Sequence, residues 1–317
     1  MGNGISFNTA SGFSPLVGEL RLDQILGREL NLMLTDTANL RNSGFMTYAG
    51  SINNSSSDTI RVAIAGLDGR DLFETVSGEA DAATNQALST SKADIVAARL
   101  VLQYKMTDLA SLTNSSGANL NPFVLAESMA GSYEATFMAK TCAAAASFSN
   151  SVGSNTTTFS VDDFFEGIYK LERADSERGA DGPFYAVMHS KALSELQDSL
   201  RNETGNALSW SPATADMLSI KGAGYVGSMM GVSVYKSSHV NANGSSGYDN
   251  WIASRALGWV DGNPGQLPGA GMTVQSGPVL VEFEREGPKG VTLIIGHSYL
   301  GVGIISQDRA SLMLSAQ

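Results

Sequence analysis

The chain has 317 residues, of which 43% are hydrophobic, so it is long enough to bury a sizeable core in two or three lobes. Its formal net charge is −11, which argues against a broad surface that binds phosphates through clustered Lys and Arg. No stretch approaches the length of a membrane span, and residues 1–10 lack the basic start and apolar run of a secretory signal. We therefore expect no transmembrane helix, no sequence-specific nucleic-acid binding and a cytoplasmic origin.

The residue types that carry most enzyme chemistry show no recognisable spacing. Cys142 is the single cysteine, and the three histidines, His189, His239 and His297, are scattered without HxxxH or HExxH spacing. GxSxG and GxxxxGK[ST] do not occur, and the GAGYVG at 222–227 precedes residues typical of strand and turn rather than of a helix. We expect no catalytic, cofactor-binding or metal-binding residues and no cofactor, and an enzyme of unknown type is the last alternative.

The first third of the chain predicts extended structure. Residues 1–44 combine a Gly/Ser/Asn-rich start with one imperfectly amphipathic stretch, which we interpret as an arm with a short helix; an ordinary first core helix is the alternative. Residues 58–66 and 94–106 alternate as strands do, around a polar and acidic segment, and predict a long hairpin. Two isolated strands are marginal in water, so the hairpin must pack against either its own chain or a neighbouring copy.

The middle of the chain predicts one long helix and then a helix-strand-helix unit. Asn121 and Pro122 are typical of a helix start, and an alanine run follows within the helix that we expect over 121–148. Ser160 and Asp163 have capping-box spacing at the start of a second helix, whose apolar residues recur at helical intervals. A short apolar strand, PFYAVMH, and a further helix, SKALSELQDSLR, complete the unit.

From about residue 202 the sequence predicts strands joined by short turns. YVGSMMGVSVYK, NWIASRALGWVDG and MTVQSGPVLVEFERE each contain strand-like runs, and the apolar runs after residue 291 close the chain. The 34 glycines concentrate in this part, where we interpret them as tight connections rather than phosphate loops.

This order of parts resembles the major capsid proteins of tailed bacteriophages, the Hong Kong 97 fold family. FEGIYKLERADSERGADGPFYAVMHSKALSELQDSL resembles that family's paired helices around a short strand, and GYVGSMMGVSVYKSSHV resembles its glycine-punctuated hairpin. The resemblance covers nearly the whole chain and implies an α+β fold. The domains that it implies are an N-terminal arm over 1–44, an E-loop with flanking strands over 45–112, a peripheral domain with the spine helix over 113–184, an axial domain over 185–290, and C-terminal strands that return to the peripheral domain over 291–317.

The function that the resemblance implies is structural and non-catalytic. Copies would assemble into pentamers and hexamers of an icosahedral phage head that encloses double-stranded DNA without sequence-specific binding. The partners would be the chain itself, a portal, a scaffold and a decoration protein, with no membrane, and the location would be the virion, after assembly in the host cytoplasm. An encapsulin-like nanocompartment shell is the first alternative, and a β-rich extracellular adhesin is the second.

Candidate contacts between copies come from the hairpin and from one aromatic residue. The hairpin candidates are charged and of both signs, with a plain solvated loop as the alternative: Arg61, Asp68, Arg70, Asp71, Glu74, Glu79, Asp81 and Arg99. Trp210 lies in a predicted loop of the axial domain and is a further candidate, because aromatic residues are enriched at interface centres. A role for Trp210 in the core of its own chain is the alternative.

Overall fold

The computed structural model describes residues 46–53, 57–66, 89–108, 122–172, 183–202, 210–221, 224–243, 247–262, 272–276 and 278–317. The helices are α1 Pro122–Ala145, α2 Val161–Glu172, α3 Ser190–Asn202 and α4 Ala215–Lys221, and a 3₁₀ turn spans Gly287–Lys289. The strands are β1 Met46–Ser51, β2 Thr59–Gly66, β3 Ser89–Val96, β4 Ala98–Thr107, β5 Ser151–Gly153, β6 Tyr185–Met188, β7 Trp210–Pro212, β8 Tyr225–Met229, β9 Val232–Lys236, β10 Ala242–Asn243, β11 Gly247–Ala253, β12 Leu257–Gly262, β13 Met272–Ser276, β14 Val279–Glu286, β15 Val291–Ile304 and β16 Ala310–Ala316. The predicted arm over 1–44 lies outside the described residues.

A six-stranded sheet is organised around β15, its longest strand. One edge of β15 pairs with β4 over 291–300, and the other edge pairs with β14 over 291–297 and with β12 over 299–304. β13 continues the sheet beyond β14, and β1 runs parallel to β12. β15, near the end of the chain, thus pairs directly with β4 from its first third.

The long helix α1 packs on one face of this sheet, and the prediction of one long helix over 121–148 is confirmed, with observed bounds Pro122–Ala145. Val279, Val281 and Phe283 alternate along β14 and pack with Ala126, Met129, Ala130 and Tyr133 of α1. Glu284, on the opposite face of β14, is exposed. The period of two along the strand and the helical spacing on α1 therefore bury a shared apolar layer.

An eight-stranded mixed sheet forms the second layer. Its order is β5-β16-β11-β6-β9-β8-β7, with β10 also paired to β11. α2 and α3 cover one face, where Phe164, Leu171 and Leu196 are fully buried. The other face packs on the C-terminal part of α1, with Trp251 against Phe137 and Cys142 in one cluster that also includes residues of β12 and β15. The two sheets therefore share one continuous core around the end of the spine helix.

The ends of α1 and α2 are held by specific hydrogen bonds. Gln307, between β15 and β16, donates from Nε2 to the carbonyl of Ser147 and accepts from the backbone N–H of Ser149 just after α1. At α2, the Ser160 hydroxyl accepts from the N–H of Asp163 at 3.2 Å, while the Asp163 carboxylate accepts from the Ser160 N–H at 3.0 Å. The predicted capping box is thus confirmed.

The helix-strand-helix unit and the β8–β9 hairpin are also confirmed. All of β6 is buried, as expected for a central strand covered on both faces. Met230 and Gly231 connect β8 to β9 with φ of 50° and 81°, the conformation of a type I′ turn, whose twist suits a two-residue hairpin.

Two predictions about the first third need correction. The second strand of the hairpin begins at Ser89 rather than at 94 and ends at Val96, and β4 then leaves the hairpin to pair with β15. The predicted alternation also fails at the break, because Val96 is 56% exposed and Ala98 is exposed, whereas Leu100, Leu102 and Tyr104 do face α1. Ala97 donates its backbone N–H to the carbonyl of Asp58 at the point where β3 ends and β4 begins.

The last two strands of the chain lie in different sheets. β15 belongs to the six-stranded sheet beneath the spine helix, and β16 belongs to the eight-stranded sheet. The domain limits implied by the resemblance stay a prediction.

Candidate assembly surfaces

The β2–β3 hairpin is a two-stranded sheet that pairs, among the described residues, only with itself. Its register runs from Thr59 opposite Val96 to Gly66 opposite Ser89. Arg61 lies opposite Asp94 and contacts it with both ends of its guanidinium fork, at 2.7 Å from Nε and 3.2 Å from Nη2. The Arg61 hydrogen bond holds the pKa of Asp94 below its usual range. Because both groups are exposed, the pair orders the hairpin surface more than it stabilises the fold.

The root of the hairpin packs on its own chain. Ile60, Val62 and Ile95 form a cluster with Val260 of β12 and with Ile52, and Ile95 is 1% exposed. The sequence left open whether the hairpin packs against its own chain or a neighbouring copy. At its root, the hairpin packs against its own chain.

Glycines on the six-stranded sheet allow this close contact. A Cβ on Gly258 would lie 2.9 Å from Ile95 Cδ1, and one on Gly303 would lie 3.1 Å from Ile95 Cγ1. At Gly301 a Cβ would collide with the backbone carbonyl of Val96. We call Gly258, Gly301 and Gly303 the glycine floor. They lie within strands, so the prediction that the glycines of this part mark tight connections is wrong for these positions.

β4 presents its outer edge beyond the pairing with β15, and no other described strand pairs there. On the face of β4 opposite to Leu100 and Leu102, Val101 is 51% exposed. Arg99 on the same face donates from Nη2 to Nδ1 of His297 at 3.3 Å. Because arginine only donates, Nε2 of His297 carries the ring proton and donates to Glu282 at 3.0 Å. Arg99, His297 and Glu282 thus link the three neighbouring strands β4, β15 and β14.

The far end of the eight-stranded sheet combines Trp210 with exposed apolar side chains. Trp210 lies on the edge strand β7, half-buried against the α2–α3 core, and its ring leaves no room for a Cβ on Gly227 of β8. Beyond it, Ile220 of α4 is 73% exposed and Met230 at the β8–β9 turn is 60% exposed. We call the exposed residues Met217, Leu218, Ile220 and Met230 the apolar end.

The described residues hold no cluster of three or more His, Cys, Asp or Glu side chains suited to a metal ion. Cys142 is buried in α1, and burial raises the pKa of its thiol to about 11 against the opposing hydrogen bonds from Trp251 and Ser237. A thiol of that pKa is inert at neutral pH. Among the helices of the described part, none has the length and apolar character needed to cross a membrane.

Comparison with solved structures identifies the fold. The capsid of Ralstonia phage GP4 matches with a TM-score of 0.58 at 10% identity, over 86% of each chain. A chain from Mycobacterium phage Che8 matches with a TM-score of 0.54 at 12% identity, over 86% of this chain and 89% of that one. The SrpI encapsulin complex from Synechococcus elongatus PCC 7942 matches with a TM-score of 0.57 at 12% identity, over 88% of each chain. The chain has the capsid fold.

The α+β class and the resemblance to Hong Kong 97-type capsid proteins are therefore confirmed at the level of the fold. No protein-family model matches the sequence. No curated protein matches it either. At such low identity, the capsid fold is preserved by the arrangement of sheets and spine helix rather than by shared side chains.

The predicted contact residues of the capsid fold are distributed over separate surfaces. Arg61 lies on the hairpin, Arg99 at the β4 edge and Trp210 at the far end of the other sheet. The structure gives Arg61 and Arg99 partners in their own chain, Asp94 and His297. The remaining candidates lie outside the described residues: Asp68, Arg70, Asp71, Glu74, Glu79 and Asp81. Their roles between copies stay a prediction.

Sequence reasoning missed the glycine floor and the apolar end. The signal for part of the floor was present in LGVGII, where Gly301 and Gly303 lie two positions apart in an apolar run, as strand residues on one face do. The apolar end had no such signal, because Met217, Leu218 and Ile220 read like the buried face of any short helix.

Proposed function

We propose that the chain is a capsid shell subunit that assembles with copies of itself into pentamers and hexamers of an icosahedral phage head enclosing double-stranded DNA. The observation that carries the proposal is the match of about nine tenths of the chain to capsid structures, which leaves little of the fold for another purpose. A closed shell needs many modest contacts repeated by symmetry, and individually weak interfaces suffice through multiplicity.

Three described surfaces have the properties that such contacts require. The hairpin offers strands that pair only with each other among the described residues, and β4 offers an unpaired edge. The apolar end offers large side chains in water, including Ile220 at 73% exposure. Unpaired strand edges are liabilities in a free monomer, so their presence in this chain supports repeated contact with other copies.

The proposed role is structural rather than enzymatic. The net charge of −11 is compatible with a shell that encloses DNA without binding it tightly, since clustered cations would bind the phosphates of the polymer. Portal, scaffold and decoration proteins, and assembly in the host cytoplasm, belong to the same proposal.

An encapsulin-like compartment is the second candidate, and a specific observation favours it. The TM-score to the encapsulin complex, 0.57, equals within 0.01 the value of 0.58 to the Ralstonia phage capsid. The fold therefore supports both shells equally, and only the cargo separates them. The capsid fold leaves the extracellular adhesin without an observation in its favour.

Electron microscopy of the expressed chain tests the proposal. We expect closed particles of uniform diameter in negative stain, formed by the chain alone or together with the products of neighbouring genes. Particles that require a scaffold or portal gene support the phage head, and particles that load a neighbouring enzyme support the encapsulin. Uniform monomers under every assembly condition would contradict both.

A further inference from the structure

Two edges of the six-stranded sheet, on opposite sides of its four-strand part, have no partner strand among the described residues. β4 forms one edge beyond β15, and β13 forms the other beyond β14. β4 pairs with β15 over ten residues without a shift of register and contains no proline, and β13 contains no proline either. Bulges and prolines are among the devices that keep an exposed edge from pairing, so both edges are open to a further strand.

The two edges lie at the same level of the sheet. One row across the four strands joins Gln275, Leu280, His297 and Val101, and the row two residues away joins Thr273, Glu282, Ile295 and Gln103. Directly opposed residues of paired strands lie on the same face of a sheet. Thr273 and Gln275 of β13 therefore share a face with Val101 and Gln103 of β4, the face opposite to α1.

The directions of the two edge strands are complementary. β14 is antiparallel to β13 and to β15, and β4 is antiparallel to β15, so β13 runs opposite to β4. A second copy whose sheet continues beyond β4 would therefore present β13 in the antiparallel direction, with residue 273 level with residue 103. Such a pair repeats the alternation of the existing sheet and supplies main-chain hydrogen bonds, as in other cases of β-strand addition.

Charge favours this contact over one between two β4 strands. The charged residues of β4 are the exposed cations Arg99 and Lys105, and the strand has no acidic residue. Two β4 strands centred on Leu102 would set Arg99 opposite Lys105 twice, and like charges directly opposite are destabilising. When β4 instead meets β13 of the next copy, β14 of that copy follows two strand spacings away, roughly 10 Å, with the exposed Glu284 on the same face as Lys105.

We propose that β4 of one copy pairs with β13 of the next, so that the six-stranded sheets of neighbouring copies continue as one antiparallel sheet. This contact presupposes the proposed function, the self-assembly of the chain. It is heterologous, because each side contributes a different edge, and heterologous contacts join copies into rings when the rotation between them closes. The contact gives β13 a role between copies.

Disulfide cross-linking of assembled particles tests the contact. Val101→Cys or Gln103→Cys, each combined with Thr273→Cys or Gln275→Cys, gives four double variants that cover the level register and a shift of two residues either way. Within one copy β4 and β13 are three strand spacings apart, roughly 14 Å, whereas a disulfide needs Cα atoms within about 7 Å. Cross-links therefore form only between copies. Because each copy is linked on two sides, we expect a ladder extending beyond the dimer on a non-reducing denaturing gel.

Matched variants separate this contact from others. Gln103→Cys with Val274→Cys places the two thiols on opposite faces of the sheet and should give no ladder. Each single variant should also give none, since the native Cys142 is buried. Gln103→Cys that forms dimers by itself would show that two β4 strands meet, and would overturn the proposal.

Hydrogen exchange of the wild-type chain gives a second readout that needs no cysteine variant. Assembly should slow amide exchange at least about tenfold in both β4 and β13, whereas the central strand β6, buried within one copy, should change little. Particles without a ladder in any of the four double variants, or with slowed exchange in only one of the two edge strands, would overturn the proposal. A wild-type chain that forms no particles would instead contradict the proposed function, and the contact with it.

Discussion

Ile95 of the hairpin lies directly over Gly303 of β15, so close that a Cβ on residue 303 would come within 3.1 Å of Ile95 Cγ1. Ile95 is 1% exposed, and its contact with Gly303 anchors the β2–β3 hairpin to the six-stranded sheet. The fixed root sets the direction in which the rest of the hairpin extends.

Substitution in the glycine floor should loosen this root. Gly301→Ala places a methyl group against the carbonyl of Val96, which is backbone and cannot move aside. We expect the free energy of unfolding to fall by about 1–3 kcal/mol in urea titrations. Gly287→Ala is the matched control, because nothing lies within 4 Å of its added Cβ. Equal stability of the two variants would mean that the root is not closely packed.

The apolar end should matter for assembly more than for folding. Ile220→Asp removes an exposed apolar side chain whose burial between copies is worth about 1.5–3 kcal/mol, so the protein concentration needed to form particles should rise at least about tenfold. Light scattering across a dilution series measures this threshold, and urea unfolding of the unassembled chain should show no change. Thr158→Asp, at an exposed loop position, is the control. An unchanged threshold in Ile220→Asp would remove the apolar end from the proposed contacts.

Acid should destabilise the chain through His189. Its Nδ1 accepts the backbone N–H of Lys191 at the start of α3, and its ring stacks on Tyr248 at 3.8 Å. Burial, and then the Lys191 ammonium, lower the pKa of His189 in the folded chain. The unfolded chain therefore binds the proton first, and stability present above the ordinary histidine pKa of about 6.5 is lost as the pH falls through the lower folded value.

His189→Asn keeps a neutral capping side chain and should flatten this part of the pH profile. His239→Asn, at an exposed position, should leave the profile as in the wild type. Urea unfolding at a series of pH values between about 4 and 7 compares the three chains. An acid-induced loss that persists undiminished in His189→Asn would place its origin elsewhere.

Cys142 should be unreactive in the folded chain. Burial raises the pKa of its thiol to about 11, so almost none is ionised at pH 8. We expect no reaction with a thiol-specific disulfide reagent at pH 8 over the time in which the unfolded chain reacts completely. Fast labelling of the folded chain would show that the end of α1 opens readily.

The sequence was informative where a pattern depends on local spacing. The capping box of Ser160 and Asp163, the long helix α1 and the glycine-punctuated pair of strands β8 and β9 each follow from neighbours in the chain, and all are present. The break at Ala97 was missed because both strands around it are apolar and continuous, and only the long-range pairing of β4 with β15 separates them.

The candidate contacts were harder to predict because they depend on what surrounds a residue. Arg99 reads as a free surface charge, yet a histidine nearly two hundred positions away accepts its hydrogen bond. Gly301 and Gly303 read as turn residues, whereas their meaning comes from Ile95 and Val96, which cross above them. Such relations arise from tertiary packing and leave little trace in local composition.

A reconstruction of assembled particles by cryo-electron microscopy would show whether the hairpin joins one copy to the next. We expect a closed shell in which the β2–β3 hairpin, fixed at its root on its own molecule, contacts a neighbouring copy beyond Arg61 and Asp94. Particles whose hairpins touch no second copy, or a chain that stays monomeric under every assembly condition, would contradict it.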